Sequence, residues 1–233
     1  MERLDKVLAA TGKWSRKEAK ALIKAGRVKV EGKIPAGPED KIVAGTAVTV
    51  DGRPILTETY TYVMLHKPAG VISSTEDPRE ETVLSLLPRD LQKMGLFPVG
   101  RLDKDTEGLL LLTNDGPLAH QLLAPGKHVD KVYYVEVDGE LDGEDCRAFQ
   151  QGMVLADGTE CLPAELELLS RRNQGLVTLR EGKYHQVKRM LAARGKPVTY
   201  LKRLSMGPLE LDRGLPPGRW RFLTEREKAS LGR

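Results

Sequence analysis

The stretch VGRLDKDTEGLLLLTNDG, residues 99–116, decides how the chain is read. Its second half, GLLLLT over 108–113, carries the unbroken apolar run of a strand buried on both faces. Its first half packs Asp103, Asp105 and Glu107 beside Arg101 and Lys104, and Gly100 and the Asn114-Asp115-Gly116 turn bracket the whole. A densely charged loop is thereby set against the core. A carboxylate there stays charged only where cations and amide groups hold it, and Arg101, two residues from Asp103, is one candidate. By spacing alone the loop also suits surface ion pairs, paired acids for glycoside hydrolysis or ligands for magnesium.

Working outward, alternation and apolar runs predict strands over 60–65, 131–137, 162–169, 175–180 and 197–204. Helices are expected at Thr82–Leu87, Pro117–Leu123, Gly143–Gln151, Tyr184–Arg194 and Thr224–Leu231. Their irregular interleaving is an α+β pattern around a largely antiparallel sheet. Upstream, Leu4–Ala10 reads as a helix, and Ser15-Arg16-Lys17-Glu18 as a capping box opening a second one through Ala25, closed by Gly26. RVKVEGK turns at Glu31-Gly32 and TAVTVDG alternates again, so a small sheet follows the two helices. The segment DGRPILTET, residues 51–59, has little apolar periodicity and is taken as a linker, which gives domains at 1–55 and 60–233.

A chain of 233 residues buries a core without staples. Cys146 and Cys161 have no metal-ligand spacing and are expected to be packing residues in a reducing cytoplasm. MERLDKVLAATGKW lacks a continuous hydrophobic region, so neither a signal peptide nor a membrane span is expected.

The net charge of +4 conceals segregation. Residues 1–55 hold 12 basic and 7 acidic side chains and residues 180–203 hold 8 and 1, whereas residues 56–179 hold 11 and 21. Two basic blocks around an acidic body are what a polyanion-binding surface leaves in a sequence. In the second block, EGKYHQVKRMLAARG (181–195) places Lys188, Arg189 and Arg194 on a helix whose inward stripe is Val187, Met190 and Leu191. Those cations suit either a buried carboxylate or phosphates. His185 by itself reads as a structural histidine. In KVYYV (131–135) the strand period sends Tyr133 and Tyr134 to opposite faces, and one of the two rings could stack on an unstacked base.

Together and in this order, GRLD with TEGLLLLTNDG, KVYYV and GKYHQVKRM resemble the pseudouridine synthases that modify ribosomal RNA through a G-R-L-D motif. RLDKVLAATGKWSRKEAKALIKAGRVKVEGK separately resembles the alpha-L RNA-binding motif of a small-subunit ribosomal protein, which precedes the catalytic domain in that family. The resemblance implies an α+β chain: a small amino-terminal RNA-binding domain, then a mainly antiparallel mixed-sheet catalytic domain. It implies an isomerase without cofactor or metal in which Asp103 is the nucleophile, Arg101 and Lys188 are its cations, Tyr133 stacks on uracil and Leu191 packs behind it. Arg3, Arg16, Lys17, Lys20, Lys24 and Arg189 are the RNA-binding candidates.

The Tyr-His-Gln run resembles the small-subunit branch. The implied substrate is therefore a uridine of 16S ribosomal RNA, uridine 516, in an assembly intermediate, with the enzyme acting as a cytoplasmic monomer. The alternatives are a 23S uridine or a non-catalytic ribosome-assembly factor. His66, in HKPAG, stands where such relatives commonly have asparagine, and no role is assigned to it.

Overall fold

The computed structural model describes residues 1–43, 45–55, 60–124, 126 and 129–232. They gather into two compact units: Met1–Thr61 with Leu84–Phe97 and Thr113–Asp115, and Tyr62–Val83 with Pro98–Leu112 and Gly116–Arg233.

The first unit begins with β1 (Glu2–Arg3), α1 (Leu4–Ala10), α2 (Arg16–Lys24), β2 (Val28–Val30), β3 (Lys41–Ile42), β4 (Val48–Val50) and β5 (Arg53–Ile55). The capping box is present: Ser15 Oγ accepts from the Glu18 amide, and Glu18 Oε2 accepts from the Ser15 amide at 2.7 Å. Leu4, Leu8, Leu22, Ile23, Val28 and Val48 close the core of this unit. The expected linker at 51–59 is corrected in its first half. Asp51 and Gly52 both take positive φ, 52° and 75°, as a tight hairpin turn requires, and Arg53–Ile55 returns antiparallel along β4. Pro54 hides this strand from an alternation test but is tolerated there because β5 is an edge strand. Residues 56–59, the rest of the expected linker, lie outside the described residues.

The chain continues with β6 (Tyr62–Lys67), α3 (Arg89–Gln92), β7 (Phe97–Pro98), β8 (Glu107–Thr113), α4 (Gly116–Leu123), β9 (Lys131–Val137), α5 (Gly143–Gln151), β10 (Met153–Val154) and β11 (Glu160–Cys161). It ends with β12 (Glu165–Leu168), β13 (Gln174–Leu179), α6 (Gln186–Ala193), β14 (Val198–Met206), β15 (Leu209–Glu210), β16 (Trp220–Phe222) and α7 (Glu225–Ser230). The main sheet runs β12-β13-β9-β14-β8-β6-β16. The pairings of β9 with β13 and β14, of β12 with β13 and of β16 with β6 are antiparallel, and β14 with β8 is parallel. Val135, Phe149, Val177, Met190 and Leu191 anchor a core shared by this sheet, α5 and α6.

The parallel contact between β8 and β14 depends on Gly108. Its φ is 108°, and a Cβ there would lie 2.2 Å from the carbonyl oxygen of Arg203, its register partner. Arg203 is itself buried and donates from Nε to the Leu109 carbonyl at 2.8 Å. Because Arg203 also stands opposite Tyr133 on β9, this contact brings the loop before β8 close to the tyrosine strand.

Two sequence expectations are corrected here, and one strand is added. No helix covers Thr82–Leu87; the Val83 amide donates to the Ile72 carbonyl at 3.0 Å in a bridge with Ile72, and the short helix comes only after Pro88. The helix expected from Tyr184 starts at Gln186, because His185 has a left-handed φ of 48°. The β16 strand has no counterpart in the sequence reading.

An ion cluster fastens the last elements. Arg221 on β16 donates through Nη2 and Nη1 to Glu227 at 2.8 Å each and through Nε to Asp212 at 2.7 Å. Those bonds, above all the one from Arg221, hold the Glu227 carboxyl down to about 2, against an ordinary 4.5. A depressed acid stabilises the fold above its unfolded pKa and loses that contribution as pH falls through the folded one. Glu227→Gln should therefore lower stability at pH 7 by about 2–3 kcal/mol, and denaturant titrations across pH should show the gap closing between pH 4.5 and pH 2.

Candidate active site

The loop between Val99 and Glu107 is held from behind by the segment that follows β6. Ser73 Oγ accepts the Leu102 amide at 3.0 Å and donates to the Leu102 carbonyl at 2.9 Å. The Gly70 amide donates to the Lys104 carbonyl at 2.8 Å. Lys67 is fully buried, and its ammonium donates to the carbonyls of Pro68, Lys104 and Thr106 at 2.9, 3.2 and 2.8 Å. Three acceptors match its three protons. Burial pulls the Lys67 pKa down to about 8, although Asp105, Asp103 and Glu107 oppose that fall.

This backing presents Asp103 at the wall of a pocket lined by Arg101, Asp103, Thr106, Tyr133, His185 and Gln186, among others. Lys188 Nζ lies 3.1 Å from Asp103 Oδ2 and 2.5 Å from Asp105 Oδ1. On the other oxygen, His185 Nε2 lies 3.3 Å from Asp103 Oδ1. Asp103 is 24% exposed and Lys188 22%, so water screens this pair less than it would a surface pair. Burial works against the Lys188 charge, but hydrogen bonds to Asp105 and Asp103 outweigh it and raise its pKa. The left-handed backbone at His185, costing on the order of 1 kcal/mol for a non-glycine residue, is kept where the imidazole meets the carboxylate.

The structure thus brings together Asp103, Lys188, Tyr133 and Arg101 of the expected set, with differences. Arg101 lines the pocket but is exposed, and among the described residues it pairs with no carboxylate. Tyr133 is buried, while Tyr134 points to the other face, edge-on to Tyr200 at 6.0 Å and donating to Glu136 at 2.5 Å. Leu191 lies in the core cluster that holds Tyr133. Asp105 is an ion-pair residue of Lys188, whereas Glu107 accepts a 2.8 Å hydrogen bond from Tyr200. Arg189 is tied to Asp157 at 2.5 Å and to Thr159 at 3.3 Å, so it is not the free cation expected of the helix.

In the amino-terminal unit, Arg3, Arg16 and Lys20 converge on the buried Asp5, at 3.0, 3.4 and 3.8 Å. The Arg3 hydrogen bonds, against burial, hold the Asp5 carboxyl below its usual range. Lys17 and Lys24 are exposed and, among the described residues, unpaired.

A family model described as RNA pseudouridylate synthase matches residues 61–193, and an S4 domain model matches residues 2–34. The chain belongs to the RNA pseudouridylate synthase family. It is 48% identical over 229 residues to an uncharacterized RNA pseudouridine synthase of Bacillus subtilis, covering 97% of this chain and 96% of that protein. It is 42% identical over 231 residues to ribosomal small subunit pseudouridine synthase A of Pseudomonas aeruginosa, covering 98% and 100%. A crystal structure of pseudouridylate synthase superimposes with a TM-score of 0.70 at 33% identity, covering 99% of this chain and 100% of that one.

For this pseudouridine synthase, an isomerase acting on RNA, sequence reasoning missed Lys67 and Ser73, and it read as merely structural the His185 that lies 3.3 Å from Asp103. A lysine closing an apolar strand, YVMLHK, was the available signal for Lys67. Ser73 left none, since its partners are backbone groups. His66, set aside above, is buried, with Nδ1 2.7 Å from the Leu215 carbonyl oxygen.

Lys67→Met should strand three carbonyls and cost about 2–4 kcal/mol. It should also speed hydrogen exchange at the Gly70 and Thr106 amides. An unchanged denaturation midpoint with unchanged exchange would mean that Ser73 and Gly70 hold the loop unaided.

Proposed function

We propose that the chain isomerises uridine 516 of 16S ribosomal RNA to pseudouridine, with Asp103 as nucleophile. The observation that carries this reading is the Asp103 carboxylate at the pocket wall with Lys188 3.1 Å from its Oδ2. Isomerisation breaks the bond between ribose and the uracil nitrogen, turns the base, and joins ribose to carbon 5 of the same ring. Every heavy atom is kept; carbon 5 loses a proton and the freed nitrogen gains one. Attack on ribose and attack on the ring both require an anionic carboxylate beside an extruded base. Lys188 supplies the counter-charge, the Tyr133 ring stacks on the uracil, and the Tyr133 hydroxyl takes the carbon-5 proton. Arg101, exposed at the pocket, is free to meet a phosphate of the flipped nucleotide.

The small-subunit assignment is supported by the Tyr184-His185-Gln186 run and by similarity to the small-subunit enzyme of Pseudomonas aeruginosa. Residues 1–55 are read as the domain that grips RNA and residues 60–233 as the catalytic domain. In the former, Asp5 fixes Arg3, Arg16 and Lys20 as a group with excess positive charge, and Lys17 and Lys24 add unpaired cations.

Asp103→Asn keeps the size of the side chain and removes the nucleophile. On a 16S transcript it should abolish single-turnover formation of pseudouridine while binding RNA within about threefold of the parent. Appreciable turnover would overturn the role of Asp103, and product found only in 23S RNA with the parent enzyme would overturn the small-subunit assignment. Replacing Lys17 and Lys24 together by alanine should reduce the slope of log affinity against log salt by about 2, because two fewer phosphates are neutralised. An unchanged slope would assign RNA contact elsewhere.

A further inference from the structure

Tyr184 is 76% exposed, the most exposed aromatic side chain among the described residues, and it adjoins the pocket residues Lys183 and His185. A single exposed ring is ordinary on a protein surface, so what matters is how this one is held. The ring is nevertheless not loose. It stacks on the His185 imidazole with centroids 3.8 Å apart and planes 17° apart. The turn beneath is fixed: Gln186 Oε1 accepts the Lys183 amide at 3.0 Å, Gln186 Nε2 donates to Glu181 at 2.7 Å, and Arg189 Nη1 donates to the Tyr184 carbonyl at 3.3 Å. His185, behind the ring, is in turn 3.3 Å from Asp103.

We propose that Tyr184 is an RNA-stacking residue: backed by His185, its ring takes the face of the nucleotide next to the displaced uridine. The proposal rests on the pocket being the uridine site and not on which ribosomal RNA is the substrate. Extruding a base exposes a face of its neighbour in the strand, and an aromatic ring presented rigidly can cover it. The setting of Tyr184 favours a nucleotide over an apolar protein segment, since residues 180–203 around it in sequence hold 8 basic and 1 acidic side chains. Cations among aromatic rings suit phosphates and bases together.

The test compares Tyr184→Ala and Tyr184→Phe with the parent in single-turnover assays, and places 2-aminopurine beside the modified uridine. Tyr184→Ala should raise the half-saturating RNA concentration about tenfold, with a saturating rate within about twofold of the parent, and should lose the change in 2-aminopurine fluorescence on binding. Tyr184→Phe should restore both. The proposal is overturned if Tyr184→Ala binds as the parent does, if phenylalanine fails to rescue, or if only the saturating rate falls, which would make the ring a prop for His185. Should the parent leave a 16S transcript unmodified, the same comparison is run on the large-subunit RNA that it does modify, which separates failure of the substrate assignment from failure of this proposal.

Discussion

The ammonium of Lys188, lying between Asp103 and Asp105, is the interaction on which the pocket depends. Two carboxylates so close, one of them only a quarter exposed, repel each other unless a cation stands between them. Placing that cation takes most of the second unit. Gly108 lets β8 run against the backbone of β14, which fixes where the loop ahead of β8 emerges. The left-handed turn at His185 fixes where α6 begins, and Lys188 follows within the first turn of that helix. Lys67, Gly70 and Ser73 hold the loop from behind through backbone groups alone. The nucleophile proposed for a uridine isomerase is thus positioned by contacts that leave its own carboxylate to Lys188 and His185.

The amino-terminal unit uses the same rule with the charges inverted. There the buried group is the anion Asp5, and the cations Arg3, Arg16 and Lys20 sit at the surface around it, their side chains 41%, 56% and 48% exposed. One carboxylate orients three cations without neutralising them all. In a chain whose net charge is only +4, such local excess is how affinity for a polyanion is built.

How much was legible follows from the kind of signal each element leaves. The run GLLLLT and the alternation in KVYYVEV appear as β8 and β9, and the Ser15 capping box opens α2, because apolar periodicity and cap chemistry are local. Asp103, Lys188 and Tyr133 were legible as a set through the family motifs, and the fold draws them into one place. What the sequence hid is non-local. The hairpin at Asp51-Gly52 was masked by Pro54, the Thr82–Leu87 segment is drawn into a bridge with Ile72 through its Val83 amide, and Lys67 and Ser73 act on carbonyls and amides that carry no residue identity. Arg189 looked identical to Lys188 in pattern; only the position of Asp157 and Thr159 separates their roles.

The most direct measurement is a map of pseudouridines in the ribosomal RNA of a strain lacking this protein, complemented with either the parent chain or the Asp103→Asn chain. The expected result is the loss of one pseudouridine, at position 516 of 16S RNA, restored by the parent and not by the variant. Full retention of every pseudouridine in the deleted strain, or restoration by the Asp103→Asn chain, would contradict it.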